Sequence, residues 1–114
     1  MRRFKLLVQM DVAPEQEGVF NKVYDDEHVP LLMQVPGVVS VQRMRREETA
    51  TISLGGEKQD FVFPEEPRFT AIYELEDAEV LQSTSWAEAV DAGSWASAVR
   101  PYTRNRRHTL HKVL

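Results

Sequence analysis

The sequence contains no cysteine. That absence excludes disulfide staples, thiolate metal sites and cysteine nucleophiles together, and it fits a reducing cytoplasm, the location expected here. Long apolar runs are missing as well. The amino-terminal stretch Phe4-Lys5-Leu6-Leu7-Val8-Gln9-Met10-Asp11 is too short and too interrupted by charge for a signal-peptide core or a membrane span, so no membrane partner is expected. Positive charge is in deficit: 14 Lys and Arg stand against 18 Asp and Glu, a net charge of −4 that disfavours nucleic acid as a bulk partner. Histidine is scarce, and His28, His108 and His111 do not form a zinc-binding pattern with acidic partners; the last two, three apart on one strand, face opposite ways. Gly55-Gly56 lacks the flanking residues of a phosphate-cradling or dinucleotide loop, and no nucleophile elbow occurs. No metal and no cofactor is therefore expected.

What is present is a chain of 114 residues, 42% hydrophobic and 28% charged, the profile of one globular domain over residues 1–114. A chain of this size buries roughly two-thirds of the surface its unfolded form exposes, a modest core that a partner subunit would extend.

Phe4, Leu6, Val8, Met10 and Val12 alternate with Lys5, Leu7, Gln9 and Asp11, the period of a strand with a second face that is only partly polar. Pro14, Glu15 and Glu17 suit a first helical turn, and a helix is predicted from about Pro14 to Gln34. Pro30 lacks the N–H that would bond back to Asp26, so a kink or a new short turn is predicted near His28 to Pro30. Val35-Pro36-Gly37-Val38 ends the helix, and Val39 to Met44 reads as a second strand. Thr49 to Leu54 and Phe61 to Phe63 flank Gly55-Gly56, which predicts a hairpin-like insertion at about residues 46–66. Arg68 to Glu76 is a third strand. Asp77 can cap a broken helical region with pieces at about Ala78–Gln82, Trp86–Ala92 and Trp95–Val99; Ser85 to Glu88 has capping-box spacing and Pro101 is the stop. Thr103 to Val113 closes as a fourth strand.

The order β-α-β, insertion, β-α-β predicts an α+β fold, the ferredoxin-like βαββαβ plait, with a four-stranded antiparallel sheet and both helical regions on one face. Its other face would be left open to water, and pairing two sheets face to face removes that problem, so a homodimer is expected.

Asp26-Glu27-His28-Val29-Pro30, Val35-Pro36-Gly37-Val38, Ala71-Ile72-Tyr73-Glu74-Leu75-Glu76, Ser85-Trp86 and Val99-Arg100-Pro101 resemble the EthD-like branch of the dimeric α+β barrel superfamily. The resemblance spans nearly the whole chain except about residues 46–66. It implies a ferredoxin-like subunit whose sheet joins its mate's to form a barrel with helices outside. The superfamily includes cofactor-independent monooxygenases, lactone isomerases, polyketide cyclases and haem-degrading enzymes, whereas the EthD-like branch has no established reaction. The long middle hairpin departs from the minimal pattern.

Phe20, Tyr24 and His28 lie four apart, so one helical face carries a phenol and an imidazole among hydrophobes. His28 is a candidate general base or acid, or else a structural histidine beside the proline break. Tyr24 could orient a ligand through its hydroxyl or sit in the core with that hydroxyl at the rim. Trp86 and Trp95 could stack on a planar ligand or pack down a short broken helix. Gln9, Arg43 and Tyr73 could add polar groups to the same pocket, giving a mostly apolar site for a small hydrophobic or aromatic metabolite. Acid–base chemistry of the isomerase or cyclase kind, or cofactor-independent oxidation, is the activity considered; the alternative is a non-catalytic ligand-binding or assembly protein. The acid-free segment from Arg100 to Lys112, with Arg104, Arg106 and Arg107, is expected to pair with carboxylates or face solvent, with anion binding as the other reading.

Overall fold

The computed structural model describes residues 3–114. Strand β1 (Phe4–Val12) buries Leu6, Val8, Met10 and Val12 on one face and turns Lys5, Leu7, Gln9 and Asp11 to the other. Pro14 opens a 3-10 turn, Pro14–Gln16, and α1 (Glu17–Val23) follows. The break predicted near Pro30 takes the form of a π turn, Tyr24–His28, which runs directly into α2 (Val29–Met33). A proline ring crowds the carbonyl four residues back and offers it no N–H, and widening the turn by one residue relieves both conflicts. The Val29 N–H accordingly bonds five residues back, to the Tyr24 carbonyl.

The remaining sheet strands are β2 (Val38–Arg45), β5 (Phe69–Leu75) and β6 (Thr103–Lys112). Between β2 and β5 the chain makes a hairpin, β3 (Thr49–Leu54) and β4 (Glu57–Val62), as a separate two-stranded sheet, its second strand starting directly after Gly55-Gly56 rather than at Phe61 as the sequence suggested. Gly55 and Gly56 both take positive φ, 63° and 82°, the conformation that a two-residue hairpin turn of this twist requires. The main sheet has the order β2-β5-β1-β6 with every neighbouring pair antiparallel, which is the ferredoxin-like plait.

The second helical region is broken as predicted, with one change of register. Asp77 caps the 3-10 turn Ala78–Gln82 by accepting from the Glu79 N–H at 2.8 Å. The cap of α3 (Thr84–Asp91) is Ser83, whose Oγ accepts from the Trp86 N–H at 3.1 Å, so the helix starts before the Ser85 to Glu88 capping-box spacing. A π turn, Trp95–Val99, and a 3-10 turn, Arg100–Tyr102, complete the crossover to β6. The Ser94 N–H donates to Glu27 Oε1 at 2.9 Å and ties this crossover to the first π turn.

The core lies between the helical layer and one sheet face, built on Phe20, Leu32, Phe69, Tyr73, Leu75 and Val99. The opposite sheet face carries Leu7, Gln9, Gln42, Thr70 and Ile72, together with Met44, which is 42% exposed. Strand β6 is exposed along almost its whole length. Among the described residues no helix is long and apolar enough to cross a membrane.

Candidate functional site

A cavity of about 390 Å³ opens between the sheet and the helical layer. Leu6, Val8 and Met10 of β1 form its apolar floor, which follows from the strand period: even-numbered residues of β1 face the helices. Tyr73 of β5 lies opposite Leu6 and points the same way. Above them the π turn supplies Tyr24 and His28 from its first and last positions, and α2 supplies Leu32. Leu81, Trp86, Val90 and Trp95 close one end.

Five of the residues singled out from the sequence, Tyr24, His28, Tyr73, Trp86 and Trp95, therefore meet at one cavity. Gln9 and Arg43 do not. Gln9 has odd parity on β1, so it lies on the opposite sheet face and its Nε2 donates to Thr70 Oγ1 at 3.2 Å. Arg43 is on the helical face of β2, but its guanidinium is held by Asp25 Oδ1 and Asn21 Oδ1, each at 2.7 Å, and lies 4.4 Å from the Tyr24 ring centroid. It fastens α1 to the sheet and is absent from the cavity wall.

The Tyr24 and Tyr73 hydroxyls are 2.6 Å apart. Burial pushes the Tyr24 phenol up to about 12 and raises Tyr73 well above the usual phenol value, so both are protonated at neutral pH. One of their two protons occupies the shared hydrogen bond, and the other is free for a ligand. His28 is 5% exposed and its ring stacks on Trp95, with centroids 4.3 Å apart and planes 16° from parallel. Desolvation lowers its pKa to about 4, with the Arg100 guanidinium contributing in the same direction, so the imidazole is neutral at pH 7. Its Nδ1 is buried without a hydrogen-bond partner. Buried polar atoms normally find partners, so this nitrogen is a hydrogen-bonding group left unmet inside the protein.

Three residues on this wall escaped the sequence reading as site residues: Arg100, Arg106 and His108. His108 alternates correctly to the helical face, opposite Val8. Arg106 is placed there by an irregularity. The β1–β6 register shifts between Gln9 and Asp11, and Asn105 in the gap takes φ 53°, a left-handed conformation that asparagine tolerates better than most residues. The Asn105 Nδ2 donates to Asp11 Oδ2 at 3.0 Å. The extra residue puts Arg104 opposite Asp11 on the outer face and leaves Arg106 on the cavity face, whereas an unbroken strand would aim both the same way. Asn105 between two arginines was the available signal. The rest of the basic segment behaves as expected: Arg107 pairs with Glu66 at 3.0 Å and Arg100 with Asp91 at 2.7 Å.

Fold and site together define a ferredoxin-like α+β domain with a cavity between helices and sheet. The same architecture is found in solved structures at low sequence identity. An EthD family protein from Bacillus halodurans superposes with a TM-score of 0.61 at 15% identity, over 98% of this chain and 99% of that one. A mutant of SnoaB, a cofactor-independent oxygenase from Streptomyces nogalater, gives 0.58 at 14% identity, over 95% of this chain and 89% of that one. A dimeric ferredoxin-like protein of unknown function from Thermobifida fusca gives 0.58 at 8%, over 98% of this chain and 92% of that one. No family model and no curated protein matches the chain. The fold read from the sequence, and its likeness to EthD-type and related barrel subunits, thus stand at the level of architecture.

Proposed function

We propose that this chain acts as a homodimer that binds a small hydrophobic or aromatic metabolite in the cavity between sheet and helices and performs proton-transfer chemistry on it. The observation that carries this reading is the meeting, above an apolar floor, of a hydrogen-bonded phenol pair and a buried, neutral imidazole on one cavity wall. A mostly apolar cavity with a few convergent polar groups is the usual form of a small-molecule site. The Tyr24 and His28 rings are 5.1 Å apart, close enough to act on one guest.

In the proposed chemistry His28 accepts a proton from a carbon next to a ligand carbonyl, while the free phenolic hydrogen of the Tyr24–Tyr73 pair bonds to the oxygen that gains charge. Return of the proton at another carbon completes an isomerisation, and attack of the carbanion on a second carbonyl of the ligand, whose oxygen takes the electron pair and then the proton from His28, completes a cyclisation. Reaction of the same carbanion with dioxygen would be the cofactor-independent oxidation. Burial weakens His28 as a base, so the hydroxyl pair must supply much of the charge stabilisation.

Dimerisation is supported by the second sheet face, where Met44 is exposed and Leu7 and Ile72 are only half-buried, and by the dimeric state of the Thermobifida fusca protein of the same fold. A second reading has an observation of its own. The stacking of His28 on Trp95 beside the π turn suits a structural histidine in a protein that binds its ligand without turning it over. Native mass spectrometry of the purified protein identifies a co-purified ligand, and turnover is then assayed with His28→Gln. A loss of about 10²- to 10⁴-fold in a variant that remains folded and dimeric is the catalytic outcome. Unchanged turnover removes His28 from the chemistry, and binding without turnover in the wild type selects the second reading.

A further inference from the structure

We infer that the ligand of this cavity is a monoanion, an aromatic or branched apolar body carrying one carboxylate, with Arg106 as the group that receives the carboxylate. The inference rests on the proposal that the cavity binds a small molecule and adds the ligand's charge to it.

The wall carries two guanidinium groups, those of Arg100 and Arg106, and no Asp or Glu. This is a local inversion in a chain of net charge −4. The two cations are not equivalent. Arg100 donates to Asp91 Oδ1 at 2.7 Å and to the Val90 carbonyl at 3.3 Å, so its charge is offset and its position is held from α3. Arg106 makes no ion pair among the described residues, and the bulge at Asn105 is what aims it into the cavity. One uncompensated cation is left on the cavity wall, at an exposed position of β6. A guanidinium presents paired N–H groups that match the two oxygens of a carboxylate, and such charge-assisted bonds are stronger than those between neutral groups.

The other polar groups agree with this assignment. His28 and His108 are both held toward the neutral form, by burial first and then by Arg100 and Arg106 respectively, so neither imidazole supplies a competing charge. Trp86 and Trp95 flank the chamber and offer planar surfaces to the apolar body. Of the two arginines on the wall, Arg100 has a carboxylate partner in the protein, and Arg106 is left to take one from the ligand.

The test compares 4-tert-butylbenzoate with its neutral counterpart 4-tert-butylbenzyl alcohol, binding each to wild type and to Arg106→Gln by calorimetry. The indole N–H signals of Trp86 and Trp95 are followed by NMR; these are the only tryptophans in the chain, and both line the cavity. The benzoate is expected to bind wild type about tenfold or more tightly than the alcohol, as loss of a charge-assisted pair implies. Both ligands should shift the indole signals, and Arg106→Gln should remove the preference by weakening the benzoate about tenfold more than the alcohol. Equal affinity for the two ligands, a preference that survives Arg106→Gln, or benzoate binding that leaves the indole signals in place would each overturn the inference while the cavity reading stands. Failure of both ligands to bind overturns the cavity reading and this inference with it.

Discussion

Replacement of His28 by Gln should flatten the acid limb of the stability curve. The imidazole is depressed from the ordinary 6.5 to about 4 by burial against Trp95 and the apolar wall. In the unfolded chain it takes up a proton below pH 6.5, while in the folded protein it stays neutral until about pH 4. The unfolded state therefore binds more protons throughout that window, and folding stability falls as pH drops through it. Each unit of separation is worth about 1.4 kcal/mol, so from pH 7 to 4.5 the wild type should lose roughly 2–3 kcal/mol through this group alone. Glutamine has no such transition. The other titratable groups are common to both proteins, so the difference between the two pH profiles isolates His28. Urea denaturation at matched protein concentration, at pH 7 and at pH 4.5, measures it; equal concentration matters because a dimer's stability depends on it. Parallel losses in wild type and His28→Gln, or an NMR titration placing the His28 imidazole near 6.5, would refute the reasoning.

The buried phenol pair should resist ionisation: raising the folded protein to about pH 10.5 should produce, in the near-ultraviolet phenolate band, the absorbance change of no more than one of its three tyrosines, whereas denaturant should release all three, and full titration in the folded state would contradict the burial of Tyr24 and Tyr73. Gly37→Ala should destabilise the protein by about 1–3 kcal/mol in thermal or chemical unfolding, because Gly37 has φ 93° and an added Cβ would collide with the Val80 Cγ2 methyl; an unchanged midpoint would show that this turn gives way freely. Ile72→Glu, at the centre of the open sheet face, should convert a dimer seen by sedimentation equilibrium into a monomer, and a wild type that sediments as a monomer at high micromolar concentration would count against the proposed assembly.

Much of the fold was legible because its signals are local. The alternation in Phe4–Val12 and Phe69–Leu75 reports one buried face regardless of what packs on it, and both strands appear where the period places them. Gly55-Gly56 specifies a two-residue turn by backbone permissiveness alone, and Pro30 announces a break by its missing N–H. The cap of α3 shows the limit of such signals. Ser83 and Ser85 both suit an N-cap by residue type, and the serine that captures a backbone N–H is the one that the packing of Trp86 and the preceding 3-10 turn brings into position.

The site was legible in part, for the same reason. Tyr24 and His28 share a helical face by periodicity, and Tyr73 lies on the buried face of its strand. Residue type alone suggests Gln9 for the pocket, but its parity on β1 sends it to the other face, and the structure corrects that expectation. Arg43 has the right parity, but Asn21 and Asp25 of the neighbouring helical region claim its guanidinium, a partnership between segments 22 and 18 residues apart that no local pattern announces.

The sequence by itself therefore determined the order of elements, the two proline- and glycine-directed breaks, the faces of the strands and the absence of cysteine chemistry, since each depends on a residue and its near neighbours. Only the tertiary structure decided that the Tyr24 and Tyr73 hydroxyls meet at 2.6 Å, that His28 stacks on Trp95 and is held neutral, and that a bulge at Asn105 turns Arg106 into the chamber. Those facts depend on distances between segments far apart in the chain. They are set by how β1, β5, β6 and the two π turns pack together, which is also what gives the cavity its charge.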